Sequence, residues 1–91
     1  MSASHFEGIP VLFCFPGSPA AKAGVREGDR LLIVNGVRMA NILDFVRARA
    51  QDARRITLTL MRGNTIHDAA FDLEAWELSE GLEVPTSAYD A

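Results

Sequence analysis

Short apolar runs, separated by turns that contain glycine or proline, make up the first third of the chain. Residues 9–15 (IPVLFCF) are apolar on both faces, with Gly8 before them and Pro16 and Gly17 after them. An apolar run that is this short and bounded by turn residues is typical of a buried strand rather than of a helix. The pattern therefore predicts one buried strand over residues 9–15.

A second apolar run is followed by the strongest short hairpin signal in the sequence. Arg30–Val34 (RLLIV) leads directly into Asn35 and Gly36. Both residue types accept a positive φ, which the tight turns of two-residue hairpins require. We therefore predict a strand over Arg30–Val34 and a short returning strand over Val37–Arg38.

The clearest alternation of apolar and polar positions lies in Arg55–Arg62. Ile56, Leu58 and Leu60 share one face, and polar residues occupy most of the other. Gly63 and Asn64 then predict a turn, and residues 65–73 predict a strand that returns as a hairpin partner. The apolar positions of this second strand change phase, which predicts a bulge near Asp68.

Two helices are predicted from their capping residues. Ser18 is a good N-cap, Pro19 suits the first helical position, and Gly24 can close the short helix that they begin. Asn41 can cap a longer helix, with Asp44 placing a negative charge in its first turn.

The longer helix carries an apolar stripe at helical spacing, which includes Ile42 and Val46. Four arginines gather toward its C-terminal end, where positive charge is favoured by the helix dipole. An anion site is the less favoured interpretation of this cluster, which consists of Arg47, Arg49, Arg54 and Arg55.

Length and charge narrow the class of protein. A chain of 91 residues has room for one small domain. Residues 1–71 carry nine bases against six acids, net +3, whereas the last twenty residues carry six acids and no base. A dense basic face, which nucleic-acid binders show, is absent from the sequence. The acidic end predicts either a solvated tail or a segment that docks on the basic body of the same or a neighbouring chain.

The sequence offers little for catalysis or for metal binding. Cys14 is the single cysteine and lies in an apolar run, so it can form no internal disulfide and is expected to pack as a small hydrophobe. His5 lies near the terminus, and His67 and Asp68 would point to opposite faces of a strand. No metal-ligand spacing or phosphate-binding loop is present. We predict no enzyme activity, no metal and no cofactor.

Residues 15–37 (FPGSPAAKAGVREGDRLLIVNGV) resemble the central motif of PDZ domains, especially the bacterial kind of HtrA-type proteases and secretion-system components. The resemblance continues over residues 9–73. It implies an α+β fold, a small and partly open β-barrel or sandwich with one short and one longer helix. Gly24 and Gly28 would hold positive φ values, and Leu31 and Ile33 would face the core.

The resemblance implies a function in binding protein or peptide. PDZ domains add an extended peptide, usually a free C-terminus, as a strand beside the longer helix. Such a groove would have an apolar position at Ile42, which favours an apolar or aromatic side chain two positions before the ligand's end. The predicted peptide-binding residues are Gly8, Ile9, Val11, Phe13, Ile42, Val46 and Arg49.

The sequence departs from the family pattern before residue 9. Most PDZ domains carry two strands there, with a GLGF-like carboxylate loop between them, whereas only eight residues precede Ile9. Residues 6–9 (FEGI) could be a remnant of that loop, but we expect instead that the groove strand is missing through truncation, displaced to the C-terminal tail, or supplied by another chain. We divide the chain into an N-terminal segment (1–8), a PDZ-like domain (9–73) and an acidic tail (74–91).

A second hypothesis is self-assembly. An apolar edge over residues 9–15 could pair with another chain, and the C-terminal tail could also make a homo-oligomer. No apolar run approaches the roughly 20 residues needed to span a bilayer, and no signal peptide is recognisable. We expect a cytoplasmic location for the chain as given, or a periplasmic one if it is part of an exported protein.

Overall fold

The computed structural model describes residues 8–52, 54–73 and 81–85. It has an α+β fold with antiparallel strands, as predicted, and its sheets do not close into a barrel. The elements in chain order are β1 (Ile9–Pro10), β2 (Phe13–Cys14), α1 (Pro19–Lys22), β3 (Arg30–Val34), β4 (Val37–Arg38), α2 (Ile42–Gln51), β5 (Arg55–Arg62), β6 (Thr65–Asp72) and β7 (Leu82–Glu83).

The larger sheet has the order β1-β3-β5-β6, and β4 pairs with β3 beside β1. The β5–β6 hairpin runs without a shift from the pair Arg55 and Asp72 to the pair Arg62 and Thr65. The predicted bulge near Asp68 is therefore wrong, because the change of phase in β6 reflects exposure of Ile66 rather than an extra residue.

The irregularity lies instead in β3, whose register against β5 shifts between Leu31 and Ile33. Leu31 and Val34 are consequently fully buried, whereas Ile33 is 36% exposed. The expectation that Leu31 and Ile33 share a core-facing side is wrong, because a bulge reverses the faces of the residues that follow it.

Residues 9–15 do not form the single buried strand that their apolar run predicts. β1 pairs with β3 in the larger sheet, and β2 pairs with β7 in a separate two-stranded sheet. Ile9 and Val11 are buried in the core, but Phe13 and Phe15 are 38% and 52% exposed. The segment changes partner between Val11 and Phe13, so its apolar side chains divide between the core and the surface.

Residues 81–85 lie within the fold. β7 pairs with β2, and Val84 belongs to the hydrophobic core with 9% of its surface exposed. This part of the predicted acidic tail is thus a strand of the domain. The remainder of residues 74–91 and most of residues 1–8 lie outside the described residues.

Both helices begin as predicted. The Ser18 hydroxyl oxygen accepts a hydrogen bond from the Ala21 N–H at 3.2 Å, and Pro19 occupies the first turn of α1. Asn41 and Asp44 form a reciprocal capping box at the start of α2. These caps satisfy backbone N–H groups that a helix start otherwise leaves without a partner.

One ion pair is buried beside the core and joins the turn before β3 to the end of β5. Asp29 is 1% exposed, and its carboxylate accepts hydrogen bonds from Arg62 at 2.7 and 2.8 Å and from the Arg26 N–H at 2.9 Å. Arg62 also donates to the Gly24 carbonyl at 2.7 Å. Burial alone would raise the pKa of Asp29, but the hydrogen bonds from Arg62 and Arg26 outweigh it and hold the pKa below its usual value.

The predicted positive φ values at Gly24 and Gly28 are confirmed at +101° and +92°. No heavy atom lies within 4 Å of a β-carbon built at Gly28, so backbone strain alone would oppose a side chain there. We expect Gly28→Val to lower the free energy of unfolding by about 1–3 kcal/mol in chemical denaturation. The control is the exposed neighbour Glu27, where Glu27→Val should lower the free energy of unfolding by less than about 0.5 kcal/mol. Equal losses of unfolding free energy in Gly28→Val and Glu27→Val would show that backbone strain at Gly28 is not the cause.

Candidate functional site

The outer edge of β7 is a strand edge that no described residue covers. Within residues 8–52, 54–73 and 81–85, β7 pairs with β2 alone. The Glu83 carbonyl accepts from the Leu12 N–H at 2.7 Å, and the Gly81 carbonyl accepts from the Phe15 N–H at 2.7 Å. Backbone groups alternate in direction along a strand, so those of Leu82 and Val84 point toward the outer edge.

Gly81 fixes the point at which the chain enters β7. Its φ is +88°, and a β-carbon there would overlap the side chain of Ser18, the N-cap of α1. Only glycine fits this backbone conformation and this close approach. The packing of Gly81 on Ser18 therefore sets the position of the start of β7 relative to α1.

The side chains of β7 alternate between the core and the surface. Leu82 packs against the core together with its cross-strand partner Cys14, and Val84 is part of the core. Glu83 is exposed and pairs with Phe13, whose ring makes an edge-to-face contact with that of Phe15 at 4.8 Å. The β2–β7 ribbon thus has an apolar inner face and an outer face with one carboxylate and two aromatic rings.

The predicted helix residues share one side of α2 but differ in exposure. Ile42 is 7% exposed and lies in the core, Arg49 is half-buried, and Val46 is 58% exposed. Leu43, three residues before Val46, is a second exposed apolar side chain of α2, with 47% of its surface exposed. Val46 is therefore the predicted helix residue that is most open to a ligand.

The predicted strand residues are engaged within the fold. The Gly8 N–H donates to the Met39 carbonyl at 2.8 Å, and the Val11 N–H donates to the Asp29 carbonyl at 2.7 Å. Ile9 pairs with β3, and Phe13 pairs with β7. Among the described residues this segment is paired along one edge only, so the addition of a peptide at Gly8, Ile9, Val11 and Phe13 stays a prediction.

Sequence reasoning missed Leu82 and Val84. The signal was a glycine followed by apolar, acidic and apolar residues, Gly81 to Val84. Two apolar positions within an acidic stretch are too few to predict a strand rather than a solvated tail. Only the pairing with β2 identifies the segment.

Among the residues that the structure describes, the chemically reactive side chains are not gathered into one site. Asp68 accepts a hydrogen bond from the Thr59 hydroxyl at 3.3 Å on the outer face of the β5–β6 hairpin, and His67 pairs with the buried Leu60. The described residues contain no group of three or more potential metal ligands. A shallow cleft on this hairpin, beside Thr57 and Ala70, belongs to the other sheet and not to β7.

No helix in the described residues is long and apolar enough to cross a bilayer. The longest of them, α2, has ten residues.

Two solved structures share the fold. The PDZ domain of the SdrC-like protein from Listeria monocytogenes matches with a TM-score of 0.70 and 17% identity, over 85% of this chain and 86% of that one. The second domain of the Listeria protein Lin2157 matches with a TM-score of 0.64 and 18% identity, over 88% and 81%. At these identities the likeness concerns the fold alone.

The sequence itself matches a family model. The model describes a PDZ domain and covers residues 16–62, just over half of the chain. This range begins before α1 and ends with β5, so it contains the motif from which the resemblance was predicted, whereas the HtrA-type subgroup stays a prediction. The chain belongs to the PDZ domain family.

Proposed function

We propose that this PDZ domain binds an extended peptide segment of another protein, added as a strand to the outer edge of β7 with α2 as the opposite wall. PDZ domains are peptide- and protein-binding modules that carry out no catalysis. Within that general role, our proposal specifies the edge and the residues. It involves no catalytic group, metal or cofactor of this chain.

The observation that carries the proposal is the outer edge of β7. Leu82 and Val84 direct backbone donors and acceptors toward it, and no described residue forms a hydrogen bond with these outward-pointing groups. An exposed strand edge binds another extended segment through main-chain hydrogen bonds. The inner edge is already bonded to β2, so an added strand has one side of β7 available.

The family pattern supports the same edge. A GLGF-like loop leads into the groove strand of most PDZ domains, and residues 81–84 (GLEV) share its glycine, its leucine and an apolar fourth position. Of the three origins that the sequence left open for the groove strand, displacement to the C-terminal part is the one we propose. A ligand's terminal carboxylate would then lie near the start of β7.

Val46 supplies the best test of the helix wall. We expect Val46→Asp to weaken binding of a ligand at least about tenfold, because it places a carboxylate beside an apolar peptide side chain and near the terminal carboxylate. The probe is a ten-residue peptide with a free C-terminus, selected from a random library and titrated by fluorescence anisotropy. Ile42→Asp is unsuitable, since Ile42 is a core residue and the variant would unfold.

The matched control is Ile66→Asp. Ile66 is 53% exposed, close to the 58% of Val46, but lies on β6 in the other sheet. Its affinity should stay within about twofold of the original protein. An equal loss in both variants, or a library that yields no binding peptide, would contradict the proposal.

The self-assembly hypothesis now depends on β7 as well. Residues 9–15 pair along one edge in the part of the chain that the structure describes, β1 with β3 and β2 with β7, so this segment also keeps an edge to which another chain could pair. A second copy could still add a strand to the outer edge of β7, as any extended segment could. Light scattering over a concentration series distinguishes this outcome, since self-association would raise the mass and peptide would reverse it.

A further inference from the structure

We infer that the outer face of the β2–β7 ribbon selects ligands with an arginine at the position opposite Glu83. The inference rests on the proposed strand addition to β7 and names the chemistry of the peptide that the site prefers. The selecting groups are the Glu83 carboxylate and the Phe13 and Phe15 rings.

The register places these groups on one face. Glu83 lies directly opposite Phe13, and cross-strand partners project their side chains to the same side of a sheet. Phe15, two residues after Phe13, projects to that side as well. Leu82 and Cys14 occupy the other side, against the core. The outer face is thus formed by side chains that do not contribute to the core.

An added strand would bring one ligand side chain close to Glu83. The Glu83 carbonyl is bonded toward β2, so the ligand residue opposite Glu83 forms a non-hydrogen-bonded pair on the outer edge. In such pairs the Cα atoms are about 4.5 Å apart and the side chains are at their closest. The ligand side chain therefore emerges on the outer face, in contact with the Glu83 side chain.

Charge favours a cation at that ligand position. Glu83 is exposed, and no ion pair joins it to another residue among those the structure describes. Its carboxylate would attract a basic ligand side chain and repel an acidic one. The attraction is weak at an exposed site and is screened by salt.

The aromatic rings favour arginine over lysine. Neighbouring strands are about 4.8 Å apart, so an added strand lies about 10 Å from β2. An extended arginine side chain can cross β7 and place its guanidinium near Phe13, which is 38% exposed. A guanidinium forms cation–π contacts more often than an ammonium does and can also bond to a carboxylate through two donors. The expected order of ligand residues is arginine, lysine, alanine and glutamate.

The test starts from a selected peptide. Each of its positions in turn is replaced by arginine, lysine, alanine or glutamate, and the four peptides that differ at one position are compared. At one position the arginine peptide should bind the full chain about fivefold to tenfold more tightly than the alanine peptide. Glu83→Arg should reverse the order, so that the glutamate peptide binds more tightly than the arginine peptide. Phe13→Leu should reduce the preference for arginine over lysine, while Glu27→Gln, at an exposed loop carboxylate, should change neither ratio.

The ratios separate this inference from the proposed function. If peptides bind but the ratio of the arginine-peptide affinity to the glutamate-peptide affinity is the same in the original protein and in Glu83→Arg, the inferred preference for arginine is wrong. The proposed strand addition to β7 is then unaffected. If no peptide binds, both are overturned. A reversal that disappears in high salt, together with the effect of Phe13→Leu, supports the inference.

Discussion

Asp29→Ala is expected to lower the free energy of unfolding by about 3 kcal/mol, one of the largest losses available to a single substitution in this domain. Asp29 is 1% exposed and accepts hydrogen bonds from both Arg62 and the Arg26 N–H. Truncation removes the acceptor and leaves these donors in a partly buried site. Urea denaturation at neutral pH measures the loss, and a change below about 0.5 kcal/mol would show that the ion pair contributes little.

The pH dependence of the unfolding free energy of Arg62→Met shows whether the charge of Asp29 is responsible for the loss of stability. In the original protein the folded-state pKa of Asp29 is lowered, so its stabilisation is present above the ordinary carboxyl pKa and is lost as pH falls. Without Arg62, burial still raises that pKa and the Arg26 N–H still lowers it, so the pKa of Asp29 is higher in the variant than in the original protein. The variant is therefore most impaired at neutral pH, and its deficit in unfolding free energy shrinks as pH falls through the ordinary carboxyl pKa toward about 3. A deficit that is constant over this range would mean that lost packing, not charge, is responsible.

The second large effect concerns the attachment of β7. We expect Val84→Asp to abolish peptide binding, because a carboxylate cannot occupy a core position that is 9% exposed and β7 would separate from β2. The larger sheet contains no residue of β7, so the rest of the domain should stay folded. The loss in unfolding free energy should be about 2 kcal/mol, which corresponds to withdrawing one valine side chain from the core.

The matched control for Val84→Asp is Val84→Ile, which keeps the position apolar. It should bind the selected peptide with an affinity within about threefold of the original, since volume changes of one methylene group are moderate in their effect. Peptide titration and circular dichroism are measured on both variants. Undiminished binding by folded Val84→Asp would show that β7 is not the edge that receives the peptide.

The sequence predicted those parts of the fold whose signals are local. The caps at Ser18 and Asn41 and the Asn35–Gly36 turn depend on residues within four positions of one another, so their residue types are sufficient. Gly24 and Gly28 were predictable because few other residues accept their positive φ.

The errors arose where a residue's environment depends on distant pairing. Phe13 and Glu83 are cross-strand partners seventy residues apart. The sequence around either residue gives no indication that it pairs with the other. Ile33 is exposed because of a register shift against β5, which the apolar pattern of β3 does not encode. Residues 9–15 were likewise predicted as one buried strand, whereas they form two short strands with different partners, β3 and β7.

Amide hydrogen exchange of the full chain with and without a selected peptide tests strand addition to β7 most directly. Slower exchange at Leu82 and Val84, with little change at Glu83, is the predicted result, because only alternate N–H groups point to the outer edge. Fluorescence or mass cannot distinguish this edge from another, whereas residue-resolved exchange can. Protection confined to β6, or spread without alternation over residues outside β7 and α2, would contradict the account.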